Sequence, residues 1–578
     1  MIRYTSFVIA LCGASLCACH GANSATFDMA DSKKSSLVQT IETPKSKSNK
    51  EIINVRAGNY LASRFAQSRH DWNSAHSFIQ ELLNEETVTY DLLERAMILA
   101  IGAGDTERAI TIAHHLKTEN KDNILADLIL IVDAFKQQQY QKADTIYDTL
   151  PASPTVSFIS PFLKGWIDAA NGKTNIINLQ GNTIQLYHAL LISDFLGDHS
   201  EIEGVIDNAL NIDEIQVSDL HRIADLYGHV GLTDKAVELY KTLQKQYPDR
   251  IAISNKIEAL QNGTQEPLFE AVTSATHGMA RAFHDIATLL SNEQNDESAR
   301  IFAHIALYLE PTLTETKFLL AEINEKHAQL SNAITYLKSV SKDDEQYIKA
   351  QHAIADIHIE NDEYDKAVSL LEKLSKKYKN VETLIKIGDL QRHQSNFGIA
   401  LKHYDQAMKQ MGGTVSEEYW HLHYVRGIAY EQSNNWNKAE EELKAALSFR
   451  PDNPYVLNYL GYAWADQGVN LQESLAMIQK AVDLRPSDGY ITDSLGWVLY
   501  RKKDYKQAVS VLERAVELLP YDPTINDHLG DAYWQVGRKL EARFQWEKAK
   551  NHSEDNTQIK TIKEKLVSGP KPDKKAVQ

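Results

Sequence analysis

A chain of 578 residues is too long for one hydrophobic core, and length alone suggests roughly four domains. A repeat array escapes that limit, because each unit packs only on its neighbours and the core grows in one dimension. The composition, 43% hydrophobic and 24% charged with 14 Pro and 26 Gly, suits such an array, and the formal charge of −17 argues against a nucleic-acid partner. A surface of that sign repels a phosphate backbone and attracts basic protein surfaces.

All three cysteines, Cys12, Cys17 and Cys19, lie at the N-terminus, so the rest of the chain has no disulfide framework, thiolate metal cluster or cysteine nucleophile. That usage suits an oxidising compartment. Residues 1–18 read as a signal peptide: Arg3 supplies the positive end, and the apolar run from Phe7 to Leu16 is too short to span a bilayer. The run ends in Leu16-Cys17-Ala18-Cys19, which resembles the lipobox of bacterial lipoproteins. The resemblance implies a diacylated Cys19 as the new N-terminus. His20 in place of Asp implies delivery to the outer membrane, with the chain facing the periplasm. An ordinary signal peptide cleaved nearby is the alternative. Residues 19–51 carry the runs DSKKSS and KSKSNK, bury too little to order themselves, and read as a flexible polar tether.

Helical patterning starts near Ile52 and runs to Asn551, with no period-2 strand signal. A Leu-Gly pair recurs at Leu460-Gly461, Leu495-Gly496 and Leu529-Gly530, with Arg426-Gly427 one unit earlier; the glycine steps are 34, 35 and 34. Ala439, Ala508 and Ala542 follow at fixed distance, then Ala446, Ala481, Ala515 and Ala549, and Pro451, Pro486 and Pro520 close their units. Small residues let paired helices approach, and proline fits a turn or a first helical turn where no amide donor is needed. Degenerate copies continue upstream at Ala287/Ala299/Ala306, Ala321/Ala333, Ala355/Ala367, Gly388/Ala400/Ala407, Ala224/Ala236/Tyr240, and at Ala75, Ala109 and Ala143. The register is lost near 151–215 and 249–280. This period and residue set resemble the tetratricopeptide repeat (TPR), which implies an all-α TPR solenoid, a right-handed superhelix of eleven to fourteen antiparallel helix pairs. The expected division is 52–248 degenerate N-terminal repeats, 249–415 central repeats, 416–550 regular C-terminal repeats, and 551–578 a capping helix with a disordered tail.

No catalytic motif stands out: there is no phosphate-binding G-x4-G-K-[ST] loop, no H-E-x-x-H and no G-x-S-x-G. The closest histidine pairs, His114-His115 and His421/His423, have poor spacing for one helical metal site. The expectation is therefore a non-enzyme without metal, cofactor or small-molecule substrate. What does concentrate is an aromatic and acidic stripe on the first helix of each C-terminal repeat, at i, i+3, i+7 and i+10. It comprises Tyr424 and Glu431; Tyr455, Asn458 and Tyr462; Tyr490, Asp493, Trp497 and Tyr500; and Asp527, Asp531 and Trp534. Such residues suit a protein-binding groove, with aromatics as anchors and carboxylates choosing basic or amide-bearing groups. Tyr430, Trp464 and Tyr533 occupy the buried aromatic position and read as core.

The segment from Asn458 to Ala549, with Gly58-Asn59-Tyr60-Leu61-Ala62, Phe65-Ala66-Gln67 and Asp71-Trp72 near the N-terminus, resembles a family of bacterial TPR lipoproteins. Relatives in that family include outer-membrane lipoproteins that act as adaptors for a periplasmic carboxyl-terminal processing protease, presenting peptidoglycan hydrolases for degradation. The resemblance implies a scaffold bringing an envelope protease and its substrates together. The alternative is a pilotin-like assembly lipoprotein serving a secretion or pilus system.

Overall fold

The structure is a computed structural model that describes residues 49–570 except 84–87, 119–122, 177, 180, 199–203, 205–216, 248–250, 264–270, 414 and 416. The expected signal peptide, Cys19, the expected tether up to residue 48 and the tail 571–578 lie outside the described residues. Among the described residues there are 28 α-helices and no strand. The chain divides into two compact units, Met1–Asn361 and Asp362–Gln578. That division follows packing, not the regularity of the repeat, which suggested boundaries near 248 and 415.

In the C-terminal unit, five antiparallel helix pairs run from Val381–His393 to Lys539–His552, followed by a single helix, Asn556–Ser568. The periodic glycine has a steric cause. A Cβ on Gly388 would lie 2.3 Å from Tyr404, on Gly427 2.7 Å from Leu443, on Gly461 2.7 Å from Ile478, on Gly496 2.4 Å from Leu512 and on Gly530 2.4 Å from Trp546. Each first helix thus accepts one large side chain of its second helix into a slot that only glycine leaves open. The alanines of the repeat, Ala439, Ala446, Ala481, Ala508, Ala515, Ala542 and Ala549, are all fully buried. The turns between repeats carry their own caps. Asn453, Asp488 and Asp522 each accept backbone N–H bonds from the residues two and three positions ahead, at 2.9–3.2 Å. Such caps contribute about 1 kcal/mol each. Pro454 and Pro523 sit in the first turn, where the missing N–H costs nothing.

The N-terminal unit departs from nearest-neighbour stacking. Its Asp296–Leu309 helix packs against Tyr90–Ala103 and Ile124–Lys136, and its Ala275–Asn292 helix packs against Pro154–Ala170 and Thr183–Leu196. Arg300 donates to the Gly102 carbonyl at 3.3 Å, Lys136 to the Leu309 carbonyl at 2.8 Å, and the Tyr308 hydroxyl to Asp133 at 2.9 Å. A Cβ on Gly278 would lie 2.2 Å from Trp166, so that glycine serves a contact more than a hundred residues distant in sequence. The returning repeats close the unit on itself, which corrects the expectation that every repeat touches only its neighbours. The reason lies in composition. In the Ile124–Lys136 helix every residue from Leu125 to Phe135 is buried, and Thr183–Leu196 is buried almost all round, so both need partners on every side. The same demand explains the lost register over Pro154–Ala170 and Thr183–Leu196: large apolar residues replace the alternation of small and large that one-sided packing produces.

Candidate functional site

First helices of neighbouring C-terminal repeats pack on one another: Pro454–Gln467 on Gly489–Arg501, and Gly489–Arg501 on Pro523–Gln535. They therefore line the inner side of the stack, and the predicted stripe lies along it.

Three of its carboxylates are engaged internally. Asp493 is buried, and both its oxygens lie 3.0 Å from His528 Nδ1 on the next first helix. Burial pulls the His528 pKa down, but the Asp493 carboxylate outweighs it, and the net shift is upward. Asp527 and Asp531 both accept from Lys565 of the terminal helix, at 2.8 Å, and Asp531 also accepts from Trp546 Nε1 at 3.1 Å. Burial first, then the neighbouring Asp527, raises the Asp531 pKa to about 6 against the pull of Lys565. Desolvated carboxylates of this kind need partners close by, and the chain supplies them. The expectation of open carboxylates at 493, 527 and 531 is corrected accordingly.

The aromatics divide in two. Trp497 is stacked between Tyr500 (centroids 5.0 Å apart, 7° between planes) and His528 (4.2 Å, 17°), and its buried indole N–H has no hydrogen-bond partner among the described residues. Tyr500 accepts from Gln535 at 3.3 Å. Tyr424 meets Tyr459 edge-on at 6.0 Å, and Tyr459 donates to Glu431 at 3.2 Å. Tyr462 is half-buried, and burial first, then Asp466 and Asp493, raises its pKa. Trp534 packs on Trp546 at 5.4 Å, and Gly569 lies directly against it. Tyr455 and Tyr490, by contrast, are 46% and 61% exposed, one repeat apart on the rim of the same face. Asn458 lies one turn inward from Tyr455, with its buried Oδ1 unpartnered among the described residues. Tyr430, Trp464 and Tyr533 are core, at 8%, 4% and 6% exposure.

Sequence reasoning missed His528 and Lys565. Both were legible one repeat ahead: His528 lies 35 residues after Asp493, and Lys565 lies 34 after Asp531. Reading the stripe helix by helix hid pairs that form between helices. Among the described residues no group of three or more His, Cys, Asp or Glu could hold a metal ion, and no helix is long and apolar enough to cross a membrane.

The tetratricopeptide repeat model matches residues 424–489, 470–523 and 494–556, and a second tetratricopeptide repeat model matches 220–250. These segments are tetratricopeptide repeats. TPRs are protein-interaction scaffolds, and the fold class is an all-α TPR solenoid. The TPR repeat-containing protein PA4667 of Pseudomonas aeruginosa is 36% identical over 108 residues, which is 18% of this chain and 18% of that protein. The aligned part thus spans under a fifth of the curated relative. A tetratricopeptide repeat protein from Parabacteroides merdae is similar at 16% identity with a TM-score of 0.36, over 44% of this chain and 97% of that one. Yeast Tom70 is similar at 14% identity with a TM-score of 0.28, over 90% of this chain and 96% of that one.

Proposed function

We propose that the chain is a non-enzymatic adaptor of the bacterial cell envelope, lipid-anchored through Cys19 at the outer membrane and facing the periplasm, whose C-terminal TPRs hold a protein partner. The observation that supports this reading is the pair Tyr455 and Tyr490, large aromatic side chains left 46% and 61% exposed on a face whose other aromatics are packed away. Exposed tyrosines of this kind supply contact area at low entropic cost, as binding surfaces require. The rest of the reading is additive. A lipid fixes the location and a polar tether of about thirty residues gives reach. Tethering then raises the local concentration of whatever the repeats hold, without any catalytic residue. The partners would be an envelope processing protease and its substrates.

The test is crosslinking and pull-down from envelopes with the wild type and with a Tyr455→Ala/Tyr490→Ala variant, followed by identification of the bound proteins. Recovery of a processing protease with cell-wall hydrolases by the wild type alone supports the adaptor. Recovery of secretin or pilus subunits alone would replace it with an assembly role, and capture unchanged in the variant would remove the tyrosines from the site. A Cys19→Ala chain should also leave the detergent-rich phase; wild-type protein already in the aqueous phase would refute the anchor.

A further inference from the structure

The seam that closes the N-terminal unit carries a histidine at each of three levels, and the surroundings of each favour the neutral ring. At one end, the ring of His70 stacks on His327 with centroids 3.5 Å apart and 14° between planes, joining two turns separated by more than 250 residues. Gln329 donates to the Arg69 carbonyl beside them at 3.2 Å, and Asn73 to Asn332 at 3.3 Å. Burial first, then His327, Arg300 and Lys326, lower the His70 pKa, while Asp296 opposes them. Asp296 is already paired with His327 at 2.9 Å and Lys326 at 2.7 Å, and Glu297 lies within reach of Arg64, Arg95 and His327. Arg69 and Asp71 flank His70 in its own turn.

In the middle, His304 is buried between Gly104 and Tyr336, with its Nε2 3.2 Å from the Tyr336 hydroxyl. Burial first, then Arg300, lowers its pKa to about 3, against a hydrogen bond to the Gly102 backbone. A cavity of ≈ 570 Å³ lined by Asp105, Glu107, Lys136, His304, Tyr308 and Tyr336 follows the seam and gives water a path to that ring. At the far end, fully buried His188 receives the Trp166 indole N–H on Nδ1 at 3.1 Å and donates from Nε2 to Asp285 at 3.0 Å. Asp285 is also held by Arg222 at 2.7 Å, Arg281 and Tyr187 lie beside it, and the neighbouring His284, itself 3.1 Å from the Thr316 hydroxyl and lowered first by burial, faces it as a second histidine at this level. An acceptor at Nδ1 fixes His188 as the neutral tautomer. A second proton there would set two donors face to face.

We propose that the closure of the N-terminal unit is an acid-released latch, in which neutral His70, His188 and His304 hold the returning repeats against the first ones and protonation lets them part. The sign is set by the direction of the shifts. A histidine whose pKa in the closed state lies below its free value stabilises closure above about pH 6.5 and withdraws that contribution as pH falls below it. Each histidine then multiplies the open fraction by up to about tenfold per pH unit, until its closed-state pKa is reached.

Hydrogen–deuterium exchange of the full chain at pH 7.5 and 5.5, corrected for intrinsic rates, tests this. Seam amides in Met97–Gly102 and Ala299–Ala306 should open at least tenfold more often at pH 5.5, while those in Leu495–Leu499 of the C-terminal unit should not. His70→Asn keeps a residue that tolerates the left-handed backbone at φ 57°. Combined with His304→Gln, it should flatten the response. A seam whose opening is independent of pH, or a double variant with the wild-type response, overturns the proposal. If the double variant is open at both pH values, His70→Asn alone decides: a response as steep as wild type counts against the latch, and a shallower one supports it.

Discussion

Asp493 reaches across from one repeat to the next and places both carboxylate oxygens 3.0 Å from His528 Nδ1, and the same imidazole stacks on Trp497 at 4.2 Å. The pair joins two repeats electrostatically while its histidine forms one wall of the aromatic stack. Because the folded-state pKa of His528 is raised, its contribution to stability is complete below about pH 6.5 and is lost as pH rises through the raised value. Asp493→Asn should cost about 1–3 kcal/mol at pH 6 and remove that alkaline loss. Thermal unfolding of the C-terminal unit followed across pH 5.5–9 reads both, and a variant with the wild-type profile would show that the pair does not govern it.

Tyr455 and Tyr490 are the substitutions that separate binding from folding. Changing both to alanine should leave the melting temperature nearly where it was, since exposed side chains carry within about 0.5 kcal/mol of stability. Partner affinity should fall about tenfold or more. Calorimetric unfolding and a binding titration with the captured partner make the comparison; a large drop in melting temperature would place the tyrosines in the fold, not the site.

Glycine at 496 leaves room for Leu512, whose Cγ would lie 2.4 Å from an added Cβ. Gly496→Ala should therefore destabilise the C-terminal unit by about 1–3 kcal/mol, despite alanine's better helix propensity. Gly496→Ala together with Leu512→Val should recover part of the loss, and a double variant no better than the single would argue against the slot.

Lys565 is the counter-ion that lets Asp527 and Asp531 lie one helical turn apart under the terminal helix. Lys565→Met should cost about 3 kcal/mol at neutral pH by leaving buried carboxylates uncompensated. The Asp531 pKa, already about 6, should climb further. A carboxyl raised in the folded state loses stability as pH rises through that value, so the variant should be closest to wild type in mild acid. Exchange of the Asn556–Ser568 amides at pH 5 and 8 checks the sign: equal fraying at both would refute it.

Much of the C-terminal unit could be read from the sequence, because one-sided packing writes itself as a period. Gly427, Gly461, Gly496 and Gly530, with the fully buried alanines after them, are steric requirements repeated at each step. The site was only half legible. Asp493, Asp527 and Asp531 stand at the expected positions, yet their partners lie 34 to 38 residues ahead, on elements that a single-helix projection does not include. The closure of the N-terminal unit was hidden for a different reason. Its signature is the all-round burial of Ile124–Lys136 and Thr183–Leu196, which in sequence is merely a loss of regularity.

Arg300 on Gly102 and Tyr308 on Asp133 also govern when the N-terminal unit can form. Both contacts span more than 170 residues of chain. A chain emerging N-terminus first presents Ile124–Lys136 with one flank uncovered until the returning helices have followed it, so loop-closure entropy must be met before those contacts reward it. The C-terminal repeats, whose contacts are local, carry no such delay. Refolding should therefore show a fast phase reporting on Trp497 and a slower one reporting on Trp166 and Trp72, with the interval between them the period in which an apolar helix is open to other chains.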